Sequence, residues 1–275
     1  MIRRFAAALV LCLALIVPLA RAQAISRSPL SYSAVIDRGV RDKPPLIHLG
    51  PAGFSFNDPV FGSRMWRVTD ALTRPDARDL SYRTPSGTHQ NAWSADSSHF
   101  YVVSTDGSVM LFTLEQALSG SAPIELKFYT EPQFSYVDPD AIYGSFNGAG
   151  ATLRTIDQYS LSTGKYTQVL DLDSVASGLQ GTFVGSVASS GGTPERFVVL
   201  FGGIAQDQHH LVVVFDRAQP TNRHAIDSTA STIDGRPTPV PLNFHLHNVM
   251  IDRSGRYVML YPTGPDLVAP RNAAQ

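Results

Sequence analysis

The sequence predicts an all-β repeat protein that is exported from the cytoplasm. Three observations carry this reading. Apolar runs of roughly four to eight residues alternate with turn dipeptides, one strand-turn-strand pattern recurs along the chain, and the N-terminus has the parts of a secretory signal.

At the N-terminus, Arg3 and Arg4 precede an apolar run from Phe5 to Leu19, and Ala20 and Ala22 supply the small residues of a cleavage site. The run is too short to span a bilayer comfortably and is broken at Pro18. Residues 1–22 are therefore expected to be a signal peptide. Its removal leaves no stable membrane span and a secreted or periplasmic protein. Lipidation at Cys12 is not expected, because Leu11 stands where a lipid-attachment signal needs a small residue. Cys12 is the only cysteine, so no disulfide holds the mature chain together. Loss of Arg3, Arg4 and Arg21 turns 22 basic residues into 19 against 23 acidic and moves the formal charge from −1 to −4. That balance excludes a basic nucleic-acid binder. Charged residues are 16% of the chain, below the usual quarter or so, and Ser, Thr, Gly and Asn supply much of the polarity.

Residues 23–60 are rich in Pro, Gly and Ser and read as an extended lead-in with one or two strands, Tyr32 to Ile36 and Pro45 to His48 being its apolar pieces. Beyond it the hairpins begin. Phe100 to Val103 and Val109 to Leu114 flank Asp106-Gly107, and Thr155 to Leu161 and Lys165 to Leu170 flank Thr163-Gly164. Arg196 to Phe201 and Leu211 to Phe215 form a pair across a longer loop, and Tyr257 to Tyr261 begins another. Only Leu114 to Leu118 and Leu172 to Ser177 suggest helix, each little more than a turn.

Residues 91–103 (NAWSADSSHFYVV) align without a gap with 248–260 (NVMIDRSGRYVML), and weaker copies lie at Phe134 to Tyr143 and Val184 to Val199. Copies start roughly 40 to 60 residues apart, about the length of one four-stranded blade. The fold class expected for 61–275 is thus a β-propeller of four-stranded antiparallel blades, about four to five of them. The chain stops soon after Tyr261, with Pro262, Pro265 and Pro270 in its tail. The last blade is incomplete unless N-terminal strands finish it, and the alternative is a truncated propeller fragment.

Arg67-Val-Thr-Asp70, followed by Trp93-Ser-Ala-Asp-Ser97, resembles the WD-type propeller repeats of TolB-like proteins, in which an Arg/Gln-Leu-Thr strand precedes a Trp-Ser-Pro-Asp-Gly turn. Ala95 replaces the Pro and Ser97 the Gly, and the last copy has Ile251-Asp-Arg-Ser-Gly255. The likeness spans roughly Phe61 to Tyr261 and implies the propeller fold.

Residues just before each turn lie on the innermost strand of a propeller blade and face its channel. His89-Gln90-Asn91 and His245-Leu246-His247-Asn248 occupy that place. In a regular strand, His-x-His puts two imidazoles on one face, and a His from another blade completes a divalent site. This arrangement resembles oligogalacturonate lyases, whose propeller binds a divalent metal through histidines that include such a pair. The resemblance implies His245 and His247 as metal ligands, His89 as a third, and one Mn, Zn or Ca ion. It departs at Leu242, where that family has a polar ligand, and in lacking a pattern of basic residues for a polyuronate. The competing reading makes the three histidines hydrogen-bonding residues of the inner strands. Gln90, Asn91 and Asn248 are the ligand-binding candidates, and the two asparagines also suit strand-end backbone bonding. His209-His210 reads as exposed loop, and Asp138-Pro-Asp140 as a turn. Trp66 and Trp93 read as core, with sugar stacking as the alternative for them and for Tyr82. No Gly-x-Ser-x-Gly elbow is present.

No pattern fixes a reaction. Three functions stay open: an exported binding or scaffold module for a protein or glycan, a metal-dependent polysaccharide lyase-like enzyme, and a truncated fragment.

Overall fold

The computed structural model describes residues 38–40, 42–74, 81–85, 91–129, 131–174, 183–202, 211–228, 230–239, 242 and 246–262. The chain divides into two units, Met1–Lys43 and Pro44–Gln275. In the first, the described residues are exposed and carry no helix or strand. The expected strand at Tyr32 to Ile36 lies outside the described residues, and Pro45 to His48 is described without strand structure.

In the second unit each strand pairs antiparallel with its neighbour in the chain. β1 (Ser55–Asn57) and β2 (Arg64–Trp66) form a hairpin. The first sheet is β3 (Tyr82–Arg83), β4 (His99–Ser104), β5 (Val109–Thr113) and β6 (Ile124–Leu126), with helix α1 (Leu114–Ser119) between its last two strands. The second sheet is β7 (Gln133–Phe134), β8 (Ala141–Gly144), β9 (Thr155–Ser160) and β10 (Lys165–Asp171). The third has six strands, β11 (Phe183–Ser189), β12 (Arg196–Gly202), β13 (Leu211–Asp216), β14 (Gln219–Asp227), β15 (Thr232–Ile233) and β16 (Arg236–Pro237). A last hairpin joins β17 (Leu246–Ile251) to β18 (Val258–Pro262). The fold is all-β, built of consecutive antiparallel meanders with a single short helix among the described residues. Among those residues no helix is long and apolar enough to cross a membrane.

The local chemistry of these elements is simple. Gly107 and Gly164 reverse the β4–β5 and β9–β10 hairpins at φ 88° and 66°, values that side-chain-bearing residues rarely adopt. Helix α1 is held by a reciprocal cap. The Gln116 N–H donates to Thr113 Oγ1 at 3.0 Å, and the Thr113 N–H donates to Gln116 Oε1 at 2.9 Å. Gly120 ends the helix in the left-handed region at φ 72°, where a Cβ would meet the Ala52 carbonyl oxygen. Of the other expected helix, Leu172 to Ser177, residues 172–174 are bend and turn with Leu172 buried in the core, and 175–177 lie outside the described residues.

Alternation with period two sends each strand's side chains to two different neighbours. On β4 and β5, Tyr101, Val103, Val109 and Leu111 pack on the second sheet through Phe134, Ile142 and Tyr159. Phe100, Met110 and Phe112 point the other way, against Val68, Tyr82 and Ala117. On β12, Phe197, Val199 and Phe201 meet Ala141, Tyr143 and Ile156 of the second sheet. Val198 and Leu200 of the same strand meet Leu246, Val249 and Ile251 of the last hairpin.

Hydrogen bonds across the repeat turns set their true register. Ser94 N–H donates to His99 O and Asp252 N–H to Tyr257 O, both at 2.9 Å, and Ser97 (φ 61°) holds the left-handed position that Gly255 (φ 70°) holds in the last copy. The gapless alignment is therefore displaced by one residue at the turn. Asn91 corresponds to Val249 rather than to Asn248. The strands also share an irregularity. β17 carries a bulge between Leu246 and Asn248 and β11 one between Val184 and Ser186, at the same distance before the turn.

Turn carboxylates draw their stability from neighbouring donors. Asp106 is lowered from 3.8 to about 2, first by the Ser104 hydroxyl and then, against a burial penalty, by the Ser108 N–H. Asp252 is likewise lowered to about 2, first by the Ser254 hydroxyl at 2.5 Å and then by the Tyr257 N–H. A carboxyl whose folded pKa lies below its unfolded one stabilises the fold fully above about pH 4 and loses that contribution as pH falls toward 2. Thermal melts from pH 7 to pH 2 are expected to show Tm dropping mainly below about pH 4. Asp252→Ala should start lower and lose less on acidification. An acid slope identical to that of the parent protein would contradict this assignment.

Candidate functional site

Where sheets meet near the repeat turns, side chains and backbone are stitched across the gaps. The Asn91 Nδ2 donates to Phe134 O at 3.2 Å while the Phe134 N–H donates to Asn91 O at 2.9 Å. The Tyr101 hydroxyl donates to Pro132 O at 2.5 Å. Gln133 Nε2 donates to Ser189 Oγ at 3.0 Å, tying β7 to β11. The Gly191 N–H donates to Arg253 O at 2.9 Å, tying the β11–β12 turn to the β17–β18 turn.

A buried polar cluster is centred on Glu195, in the β11–β12 turn. Its side chain is only 3% exposed. Oε1 accepts from the Ser135 hydroxyl at 2.8 Å and Oε2 from the Tyr143 hydroxyl at 3.0 Å, so the carboxylate joins the second sheet to the third. Arg217, in the β13–β14 turn, lies 3.6 Å from Oε2 and 3.9 Å from Asp138, and its guanidinium stands 5.4 Å from the centre of the Tyr143 ring. Burial, followed by the Glu195 charge, pushes the Tyr143 hydroxyl far above its ordinary pKa of 10.0. That phenol stays protonated and serves as a donor. Glu195 thus has three partners, two hydroxyls and a guanidinium, as a buried carboxylate requires.

The other acidic groups here are also committed. Burial would raise the pKa of Asp96, but the Ser94 and Ser98 hydroxyls, both donating at 2.7 Å, together with the Ser98 N–H leave it lowered. Asp138 Oδ1 accepts from the Asp140 N–H, and Asp140 accepts from the Ser160 hydroxyl at 2.7 Å and the Ser162 N–H at 2.6 Å. The Asp138-Pro-Asp140 pair therefore organises its own turn and the adjacent β9–β10 loop.

Aromatic and cationic side chains are the ones presented outward. The Arg253 guanidinium stacks 4.5 Å from the centre of the half-buried Tyr136 ring, bringing the last hairpin onto the β7–β8 turn. Trp93 was expected in the core, but it stacks one face on Phe100 at 4.6 Å and is 46% exposed. Here the strand carries an isolated bridge to Phe100, leaving the second indole face uncovered. Trp66 is half-buried, with Arg64 4.4 Å from its ring centre.

Of the residues singled out in the sequence, His89, Gln90, His245 and the His209-His210 pair lie outside the described residues. Asn91 bridges to the second sheet. Asn248 is buried, and its Oδ1 accepts from the Val249 N–H at 2.7 Å. His247 is exposed, at the β17 bulge between Leu246 and Asn248, and its placement relative to His245 lies outside the described residues. Among the described residues no three His, Cys, Asp or Glu side chains gather as a metal site.

The Glu195–Arg217 cluster has no motif in the sequence. Its members are far apart in the chain, and Glu195 sits in a repeat copy that aligns only with an insertion.

No protein-family model and no curated protein matches the chain. Among solved structures it is similar to an oligogalacturonate lyase from Vibrio parahaemolyticus, at 11% sequence identity and a TM-score of 0.41. The match covers 63% of this chain and 46% of that one, so it spans less than half of that enzyme's length.

If Glu195 is the inter-sheet acceptor, Glu195→Ala strands the Ser135 and Tyr143 hydroxyls and should cost about 2–4 kcal/mol, whereas Tyr143→Phe removes one donor and should cost about 1 kcal/mol. Urea unfolding measures both. Equal costs, or a neutral Glu195→Ala, would contradict this role.

Proposed function

We propose that the protein is an exported β-propeller acting as a binding module, which takes a protein or glycan on the face formed by its repeat turns. Two four-stranded meanders in succession, and the contacts of β7 and β17 with β11, support the propeller reading. The observation that carries the binding reading is the division of labour at the turns. Asp96, Asp138, Asp140, Asp252 and Glu195 are consumed by turn and inter-sheet bonds, while Trp93 and the Tyr136–Arg253 pair face outward. A half-exposed indole and an arginine-backed phenol are suited to stacking on sugar rings or on the apolar parts of a peptide.

A second reading makes this face a metal site of a lyase-like enzyme. His247 favours it, because the imidazole is exposed at a bulge and makes no hydrogen bond among the described residues. His89 and His245 would be its partners, holding one Mn, Zn or Ca ion.

The test uses the full chain with its own N-terminus, purified from the exported fraction. N-terminal sequencing is expected to begin at Gln23. On an array of glycans and extracellular-protein peptides, binding should fall at least about tenfold in Trp93→Ala or Arg253→Ala with Tm preserved. No binding, or binding indifferent to both substitutions, would count against the module. Elemental analysis of the same preparation decides the second reading. Stoichiometric metal lost in His247→Ala supports it, and metal-free protein that yields no unsaturated product from oligogalacturonate removes it.

A further inference from the structure

A cleft of about 410 Å³ opens between the third sheet and the turn of the last hairpin. Half-buried Val214 and Val258 supply apolar wall, and Arg196, Arg256, Asn222 and His224 supply polar groups. The two arginines are unusual in what they do not pair with. Arg196 lies directly opposite Asp216 in the β12–β13 register. Yet Asp216 Oδ1 accepts from the Ala218 N–H at 2.8 Å, and Arg196 reaches across to the last hairpin, donating from Nη1 to Gly255 O at 3.0 Å. Among the described residues neither Arg196 nor Arg256 forms an ion pair. The Arg256 guanidinium lies 5.9 Å from the centre of the Tyr257 ring. His224 commits Nδ1 to Asp234 at 2.8 Å, which leaves Nε2 for another partner.

A guanidinium carries five N–H donors in a planar fork, and Arg196 spends one of them within the fold. The cleft thus sets two guanidiniums, one of them oriented by a backbone carbonyl of the opposite wall, against the single Asp216 carboxylate. We propose that it is a binding site for an acidic ligand. A carboxylate or phosphate group sits between Arg196 and Arg256, with the Asn222 amide as a further donor, and an apolar body lies against Val214 and Val258. Charge-assisted bonds to a fork are the strong class of hydrogen bond, and the valines give the ligand a reason to leave water. This site uses none of Trp93, Tyr136 or Arg253, so it stands or falls separately from the turn face.

Titration calorimetry on the full chain tests it with benzoate, phenyl phosphate and, as the uncharged control, benzyl alcohol. At least one of the two acids is expected to bind, and the better acid identifies the oxyanion. Benzyl alcohol should bind at least about tenfold more weakly. Arg256→Gln, which breaks no hydrogen bond to another element, should weaken the acid at least about tenfold with Tm unchanged, whereas Lys165→Gln, an exposed cation of the second sheet, should leave it unchanged. Three results would overturn the proposal: neither acid binding, benzyl alcohol matching the acids, or Arg256→Gln binding as tightly as the parent protein.

Discussion

A β-meander cannot bury its apolar residues alone, and the whole arrangement depends on how β12 meets that constraint. From Phe197 to Gly202 every residue of this strand is buried. Phe197, Val199 and Phe201 are covered by the second sheet, and Val198 and Leu200 by the last hairpin. A strand covered on both faces reads as an unbroken apolar run, as Arg196 to Phe201 does after its first residue. β13 repeats the pattern, with Leu211, Val213 and Phe215 on one face and Val212 and Val214 on the other. The third sheet is thus the keel against which its two neighbours are laid.

Dry packing on both faces creates the need for the polar stitches. At the turn ends the apolar faces give out while backbone and hydroxyl groups remain shielded from water, and each needs a partner. Glu195, Gln133, Asn91 and Arg196 meet that need by reaching into the next sheet rather than along their own. The same economy explains the turn carboxylates Asp96, Asp106, Asp138 and Asp252, which satisfy N–H and O–H donors within five residues. The side chains proposed to meet a ligand are the aromatic and cationic ones: Trp93, Tyr136 with Arg253, and the arginine pair of the cleft.

Much of this was legible in the sequence. The β4–β5 and β9–β10 hairpins follow from Asp106-Gly107 and Thr163-Gly164, and α1 falls where Leu114 to Leu118 suggested a turn of helix. The repeat register was misread by one residue because Ser97 does the work of a glycine at positive φ. Matching the two asparagines looked better than matching the turns. Trp93 was misplaced because an isolated bridge does not cover both faces of an indole. The extension of the third sheet through β15 and β16 was missed because each strand is two residues long, although Asp234-Gly235 between them, at φ 51° and 74°, is a tight-hairpin dipeptide. The Glu195 cluster was invisible for a different reason. Contacts between turns of different sheets depend on inter-sheet register, which no local pattern encodes.

Amide hydrogen exchange followed by mass spectrometry in Phe197→Ala tests the keel most directly. The substitution opens a cavity on the face of β12 that meets the second sheet. If the second and third sheets share one packed layer, protection falls together in peptides from β8, β9, β12 and β13. Loss of protection confined to β12 and β13, with β8 and β9 unchanged, would contradict the idea that burial between these sheets holds the structure together.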